Sequence, residues 1–231
     1  MPPVYVILAP DTIKGIYTSW DECRAKVTGV SGATFQKVGS HDAAQAMLDG
    51  TPDRMPPGTF AFVDGNHRGG VGVVLVHRTA QGETTRKEIS MTLTEVFPDG
   101  VALEDGRHLS ADEMLAAIRN IACELAAAYL AVQRVQPNTR LTIVHDYEGV
   151  GAWLMGRWRV KDPIVAAIVA QVLARIQKAN LCISVQHQRG HQADRLGLSD
   201  WVQENRRADA LATQAVARAT QAAGQLRSAR K

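Results

Sequence analysis

The sequence predicts an α/β fold in which a mixed five-stranded sheet is flanked by helices and preceded by a small α+β module. Two observations carry this prediction. Residues 59–218 run in the order three strands, helix, strand, helix, strand, helix, which is typical of an α/β sheet covered by helices. Residues 51–58 contain three prolines and no periodicity, as a linker does, so they separate the first 50 residues from the rest.

The first 50 residues contain a strand–strand–helix–strand–helix pattern. Residues 4–8 and the IYTSW run are strand-like. Ser19 precedes two acidic residues, which favours an N-cap and a helix start. The ATFQKV run then predicts a strand, and SHDAAQAMLDG predicts a short helix that ends at Gly50.

The larger segment is built from apolar runs and helical periodicities. Its five predicted strands are TFAFVDG, GGVGVVLVHR, TTRKEISMTL, RLTIVHD and residues 181–187. Its three predicted helices run from Asp112 to Val132, over residues 163–177 and over residues 200–218. Residues 95–110 are interpreted as a loop or a hairpin extension, because they contain Pro98-Asp99-Gly100 and Asp105-Gly106.

Composition excludes several classes of protein. Apolar residues make up 45% and charged residues 21% of the chain, and no apolar run approaches the roughly 20 residues that span a bilayer. Three widely separated cysteines do not predict a disulfide framework or a cysteine-based zinc site. No basic, cleavable leader is evident. We therefore expect a cytoplasmic protein that binds no membrane and has no obligate protein partner.

Four acidic residues stand where side chains could converge. Asp64 and Asp146 each end an apolar strand, and ligands gather beyond the carboxyl ends of strands in α/β sheets. Glu124 interrupts an apolar helix, and Asp209 lies in the first half of the last helix. Converging carboxylates predict Mg²⁺, which prefers oxygen ligands. Taken singly, each acid could instead be a turn residue or a helix cap, and spacing alone does not identify a nuclease.

The flanking motifs resemble those of the ribonuclease H type 1 family. FVDGN, RNIACELAAAYLAV, LTIVHDYEGVGAW, QRGHQAD and ENRRADALA occur in the family's order. DYEG and the RN-x-x-x-E spacing are most similar to the bacterial subgroup that carries an N-terminal hybrid-binding domain, of the caulimovirus viroplasmin type. KGIYTSWDECRAKVTG resembles that domain. The resemblance implies a ribonuclease H-like fold and four segments, which are a hybrid-binding domain (1–50), a linker (51–58), a catalytic domain (59–219) and a basic tail (220–231).

The resemblance also implies which residues form the site. The active-site acids that hold two Mg²⁺ ions, with Mn²⁺ as a possible substitute, would be Asp64, Glu124, Asp146 and Asp209. His191 would handle protons or position water near the cleaved phosphate and assist product release. Glu113 is a rival for the helix position because it lies eleven residues before Glu124. We prefer Glu124 because Asn120 precedes it by four residues, as in the family motif.

Substrate contacts are expected on both segments. The implied hybrid-binding residues are Gly65, Asn66 and Asn120 in the larger segment and Tyr17, Trp20, Phe35 and Lys37 in the first. Trp20 and Phe35 could instead form the core of a small domain. The first 50 residues hold four basic and five acidic residues, so we expect weak hybrid binding there. Further affinity could come from Arg157, Arg159 and Lys161 near two tryptophans, and from the basic tail.

The function that follows is an endonuclease. The resemblance implies hydrolysis of the RNA strand of RNA–DNA hybrids, which leaves 5′-phosphate and 3′-hydroxyl ends. Two alternatives remain open. One is a non-catalytic nucleic-acid-binding protein that keeps the fold, and the other is a nuclease of related fold, such as a junction resolvase.

Overall fold

The computed structural model describes residues 4–50, 53–188 and 199–228. The chain divides into two compact units. The first contains the described residues up to Met55 together with residues 199–203, and the second contains the other described residues from Pro56 onward. In the described part of the chain, no helix is long and apolar enough to cross a membrane.

The first unit is built on a three-stranded antiparallel sheet with two helices. In chain order its elements are β1 (Val4–Ala9), a 3-10 helix (Asp11–Ile13), β2 (Gly15–Tyr17), α1 (Trp20–Val27), β3 (Thr34–Val38) and α2 (His41–Leu48), and the strand order is β2-β1-β3. The predicted second strand ends early, at Tyr17, because the Ser19 hydroxyl accepts a hydrogen bond from the Glu22 N–H and caps α1. The predicted order of elements is confirmed.

The second unit contains the five-stranded mixed sheet. Its strands are β4 (Gly58–Gly65), β5 (Gly70–Arg78), β6 (Thr84–Thr92), β7 (Val101–Ala102), β8 (His108–Leu109), β9 (Arg140–His145) and β10 (Cys182–His187). The main sheet has the order β10-β9-β4-β5-β6, in which the first three strands are parallel and β5 is antiparallel to both of its neighbours. With the helices below, this confirms the predicted fold class.

Among the described residues, six helices accompany this sheet. They are α3 (Leu93–Val96), α4 (Ala111–Ile118), α5 (Asn120–Arg134), α6 (Glu148–Leu154), α7 (Pro163–Lys178) and α8 (Asp200–Ser228). α5 is the central helix, because it packs on β4, β5 and α7 and every residue from Ala122 to Ala128 is buried. Its many alanines allow this close approach, because their methyl side chains are small.

Two predicted helices have different bounds. The single helix from Asp112 to Val132 is wrong, because Arg119 adopts a left-handed backbone (φ +50°) that ends α4 and begins α5. The last helix extends ten residues beyond its predicted end at residue 218, to Ser228. Alanine and glutamine make up half of this stretch and favour a helix, so the first part of the predicted basic tail is helical.

Residues 95–110 include the two-stranded antiparallel hairpin of β7 and β8. This agrees with the hairpin interpretation. The segment is anchored by Phe97, which is buried and stacks on Tyr129 of α5 with ring centroids 5.2 Å apart. The hairpin also contacts α7 through β7.

Candidate active site

Three acidic side chains meet at one end of the main sheet. Asp64 lies near the end of β4, Glu124 lies in the second turn of α5, and Asp146 follows β9. Each offers a carboxylate oxygen, and the three oxygens lie within 4.8 Å of one another. Asp64 and Glu124 are 7% and 3% exposed, and Asp146 is half-buried.

Strand register explains why two of these acids meet. β4 and β9 are parallel neighbours, and Val63 is paired with His145. The residues that follow, Asp64 and Asp146, therefore leave the same edge of the sheet side by side. The pairing of β4 with β9 ends at this point, so both acids face the space beyond it.

A glycine brings the third acid to this edge. A Cβ on Gly65 would overlap the backbone of Cys123 and Glu124, so only glycine permits this approach of β4 to α5. The Gly65 N–H donates a hydrogen bond to the Glu124 carboxylate. Gly65 was predicted as a substrate-binding residue, and the structure gives it this packing position.

Burial and mutual repulsion disfavour the charged form of the cluster. Burial, and then the charges of Asp146 and Asp209, raise the pKa of Asp64 to about 8. Burial also raises the pKa of Glu124 well above its usual value, with Asp64 and Asp146 adding to the effect. Glu124 Oε2 has no hydrogen-bond partner among the described residues. Hard divalent cations bind carboxylate oxygens, so this buried, unpartnered oxygen and the neighbouring carboxylates are suited to hold one.

Asp209 lies beside this group rather than in it. It is exposed on α8, and its charge contributes to the raised pKa of Asp64. α8 reaches this end of the sheet because β5 has glycines there. A Cβ on Gly70 or on Gly72 would overlap the backbone of Ala212 or Ala208 respectively. Three of the four predicted acids are thus grouped within 4.8 Å, and the fourth is close enough to affect one of them.

The remaining predicted residues of this region have separate settings. Glu113 forms a capping box with Ser110 at the start of α4, since each side chain accepts from the other's backbone N–H. Asn120 is exposed at the first position of α5. Asn66 Oδ1 accepts hydrogen bonds from the N–H groups of Arg68 and Gly70 at 3.0 Å each, which fixes the β4–β5 turn. His191 lies outside the described residues.

Sequence reasoning gave no role to the two histidines that end β9 and β10. His145 is buried, and its pKa is lowered to about 4, chiefly by that burial. His187 is exposed, and its ring centroid lies 5.7 Å from that of His145. Both side chains contact the turn that carries Asp146. Strand pattern alone could not identify this, because the contacts depend on the register between the two strands.

Three neighbouring aromatic rings follow one another from the acidic cluster. The Tyr147 ring lies 5.8 Å from the Trp153 ring, and Trp153 lies 6.4 Å from Trp158, measured between centroids. Burial raises the pKa of Tyr147, and the Glu124 charge adds to this, so Tyr147 is near the acids. Trp158 is 47% exposed. The basic residues around it, Arg157, Arg159 and Lys161, are exposed too.

The first unit has an exposed aromatic surface, formed by Tyr5, Trp20 and Phe35. Trp20 is 40% and Phe35 42% exposed, and Trp20 lies 5.5 Å from each of the other two rings. The alternative that Trp20 and Phe35 form the core is therefore wrong. That core contains Val4, Val6 and Ala44. Lys37 Nζ stands 5.9 Å from the Tyr5 centroid, and the Tyr17 hydroxyl donates to the Ile13 carbonyl at 2.8 Å.

Two ribonucleases H1 are among the proteins of solved structure to which this chain is similar. LC11-RNase H1, isolated from compost by a metagenomic approach, is 18% identical, with 72% of this chain and 99% of that chain covered and a TM-score of 0.48. RNase H1 from the archaeon Halobacterium salinarum is 19% identical, with coverages of 68% and 96% and a TM-score of 0.42. LC11-RNase H1 in complex with an RNA/DNA hybrid is 16% identical, with coverages of 70% and 99% and a TM-score of 0.40.

Sequence comparison assigns the first unit more directly. No curated protein matches the chain. Residues 3–48 match the family model of the ribonuclease H1 N-terminal domain. The exposed aromatic surface lies within this matched segment. The N-terminal segment is thus similar in sequence to the N-terminal domain of ribonuclease H1, which confirms the resemblance that its motifs indicated.

Proposed function

We propose that this chain is a ribonuclease H, an endonuclease that hydrolyses the RNA strand of RNA–DNA hybrids and leaves 5′-phosphate and 3′-hydroxyl ends. The observation that carries the proposal is the buried group of Asp64, Glu124 and Asp146, whose oxygens lie within 4.8 Å of one another at the end of the sheet. The match of residues 3–48 to a ribonuclease H1 domain supports the same substrate.

The three grouped acids would hold the divalent ions, with Asp209 completing the set from α8. When bound, two Mg²⁺ ions would supply Lewis-acid stabilisation of the phosphate oxygens and lower the pKa of water, and Mn²⁺ would be a substitute. The raised pKa values of Asp64 and Glu124 fit this assignment, because a cation removes the repulsion that raises them. His191 would hold a proton or position water at the cleaved phosphate.

Selection of the RNA strand would come from contacts to its 2′-hydroxyls. Asn120 stands exposed one turn before Glu124, so its amide is available to a 2′-hydroxyl of a strand bound at the acids. Asn66 is less free to do so through its oxygen, which the β4–β5 turn already uses. Its amide nitrogen is the group that we assign to the substrate.

Selection of the opposite DNA strand would come from aromatic packing. The exposed Trp20 and Phe35 rings can pack against deoxyribose, and Lys37 Nζ stands 5.9 Å from the ring of Tyr5, which neighbours Trp20. The net charge of −1 over residues 1–50 gives little phosphate attraction. We therefore expect this module to bind hybrids weakly. The exposed basic loop around Trp158 would add phosphate contacts.

A cleavage assay with one matched pair of variants tests the proposal. The substrates are a labelled RNA–DNA hybrid, duplex RNA, duplex DNA and a four-way junction, each with Mg²⁺, Mn²⁺ or chelator. We expect cleavage of the RNA strand of the hybrid alone, dependent on metal and abolished by Asp146→Asn. Asp99→Asn, in an exposed turn, is the matched control and should retain activity.

Each other outcome identifies an alternative. Cleavage of the four-way junction would favour a resolvase. Hybrid binding without cleavage by the wild-type chain would favour a non-catalytic binding protein. Full activity of pure Asp146→Asn would refute the assignment of the site.

A further inference from the structure

We infer that His145 and His187 are positioning residues, which fix the turn after β9 so that the Asp146 carboxylate meets Asp64 and Glu124. Neither histidine touches the reacting atoms in this scheme. The inference rests on the proposed metal site, and it adds two residues that hold one of the ligands in place.

The two rings stand side by side at the end of the sheet. β9 and β10 are parallel, and His145 is the register partner of His187, which is the last residue of its strand. His187 Nε2 lies 2.9 Å from the Asp146 carbonyl oxygen. His145 Nδ1 lies 3.0 Å from the Tyr147 carbonyl oxygen. Two consecutive peptide carbonyls of the turn are thus each bonded to a histidine.

The chemistry of the acceptors fixes the proton positions. A carbonyl oxygen only accepts, so Nε2 of His187 and Nδ1 of His145 must be the protonated nitrogens. The other nitrogen of His145, Nε2, then carries no proton in the neutral ring. It has no hydrogen-bond partner within the described part of the chain. Both histidines act as donors through opposite nitrogens.

The sheet ends before this turn, so its carbonyls are bonded by other groups, which for Tyr147 are the Val150 N–H at 3.1 Å and His145. The last backbone hydrogen bond between the ends of β9 and β10 is from the Gln188 N–H to the His145 carbonyl, at 2.8 Å. The Asp146 and Tyr147 carbonyls lie beyond it, where the neighbouring strand has ended. The peptide plane before Asp146 is fixed by the Gln188 N–H on the His145 carbonyl, and the plane after it is fixed by His187 on the Asp146 carbonyl. His145 fixes the next plane, through the Tyr147 carbonyl. Fixing the planes on either side of a ligand also fixes the direction of its side chain. Groups that orient metal ligands in this way typically change metal affinity about 10–100-fold when they are removed.

The two histidines differ in how well they can be tested. His145 is 1% exposed, and a Cβ on Gly151 of α6 would overlap its Nε2, so its replacement would disturb packing as well as hydrogen bonding. His187 is exposed. A substitution there removes the hydrogen bond to Asp146 with little loss of buried area, so His187 is the residue to change.

The experiment compares two replacements of His187 in the full chain. His187→Leu removes the donor, whereas His187→Gln places an amide nitrogen where Nε2 of the histidine stands. The readouts are Mn²⁺ binding by titration calorimetry and thermal unfolding in chelator. We expect His187→Leu to weaken Mn²⁺ binding about 10-fold, with an unchanged unfolding midpoint. His187→Gln should remain within about twofold of the wild type.

A matched control separates this effect from loss of any surface histidine. His77 is also exposed, and its Nδ1 is hydrogen-bonded to the Thr59 hydroxyl at 3.1 Å. His77→Leu should leave Mn²⁺ binding unchanged. Equal Mn²⁺ affinity in the wild type and His187→Leu would overturn the inference, as would an equal loss in His187→Gln and His187→Leu.

The binding readout requires no nucleic acid, so the inference and the proposed function can fail separately. A loss of Mn²⁺ affinity in His187→Leu that His187→Gln restores supports the positioning role even if no hybrid is cleaved. Hybrid cleavage with the same Mn²⁺ affinity in all variants overturns the positioning role and leaves the nuclease. A wild-type chain that binds no Mn²⁺ overturns the inference, since there is then no ligand to position.

Discussion

Removing one charge from the acidic cluster should stabilise the metal-free protein while it abolishes cleavage. Asp64→Asn is the change to make, because burial and two neighbouring acids raise the pKa of Asp64 from 3.8 to about 8. The folded chain keeps a proton on Asp64 that the unfolded chain releases. Between these two pKa values, the free energy of unfolding therefore falls as pH rises.

The size of this effect follows from the two pKa values. Each pH unit above 3.8 costs the folded state about 1.4 kcal/mol, until the pH reaches about 8. Near pH 7 this gives an upper bound of about 4 kcal/mol. Because the carboxyls share protons and the buried amide of asparagine has its own desolvation cost, we expect Asp64→Asn to gain about 1–3 kcal/mol.

Urea denaturation in chelator at several pH values measures this gain. The advantage of Asp64→Asn should be near zero at about pH 4 and should grow up to about pH 8. Saturating Mg²⁺ should reduce or reverse it, because the metal stabilises only the chain that binds it. Asp99→Asn, exposed in a turn, is the control and should show no such pH dependence. A variant that is no more stable than the wild type near pH 7, or whose advantage does not change with pH, would refute the reasoning.

Three further substitutions test, in turn, the packing of a helix on the sheet, the binding of hybrids and the capping of a helix. Gly72→Ala should lower the free energy of unfolding by about 1–3 kcal/mol in urea titrations, because its Cβ would overlap the Ala208 carbonyl of α8. Trp20→Ala should weaken hybrid binding about 5–50-fold in a fluorescence titration without changing the unfolding midpoint, because stacking is lost from an exposed ring. Glu113→Ala should cost about 1 kcal/mol through loss of its capping box with Ser110 and should leave Mn²⁺ binding by calorimetry unchanged.

Much of the fold could be predicted because its elements have strong local patterns. The β-branched run before Asp146 and the Ser19 cap each specify an element without tertiary information. The break at Arg119 could not be predicted, since no glycine or proline marks it. An arginine adopts φ +50° there because packing of α4 and α5 requires a turn at that point, and packing outweighs local preference.

The acids of the site were predictable for a similar reason. Strand ends made Asp64 and Asp146 candidates, and an acid in an apolar helix made Glu124 one, but the resemblance to the ribonuclease H type 1 motifs was needed to choose them. The histidines that end β9 and β10 were not found, because nothing in either strand's own pattern reports that His187 lies beside His145. Register between parallel strands separated by a long connection is a tertiary property. A role that depends on which residues lie side by side on neighbouring strands therefore cannot be predicted from single segments.

The geometry of the site depends on glycines as much as on acids. Gly65 and Gly72 lie on opposite faces of the sheet, because Gly72 pairs with Asp64 and side chains alternate along a strand. Gly65 admits the backbone of α5 on one face, and Gly72 admits α8 on the other. Glu124 and Asp209 are thereby brought from two sides to an edge that already carries Asp64. A carboxylate reaches only a few ångströms from its backbone, so the acids can converge only where both helices touch the sheet. Substitutions at these glycines should therefore impair the site even though neither glycine has a side chain that could bind metal.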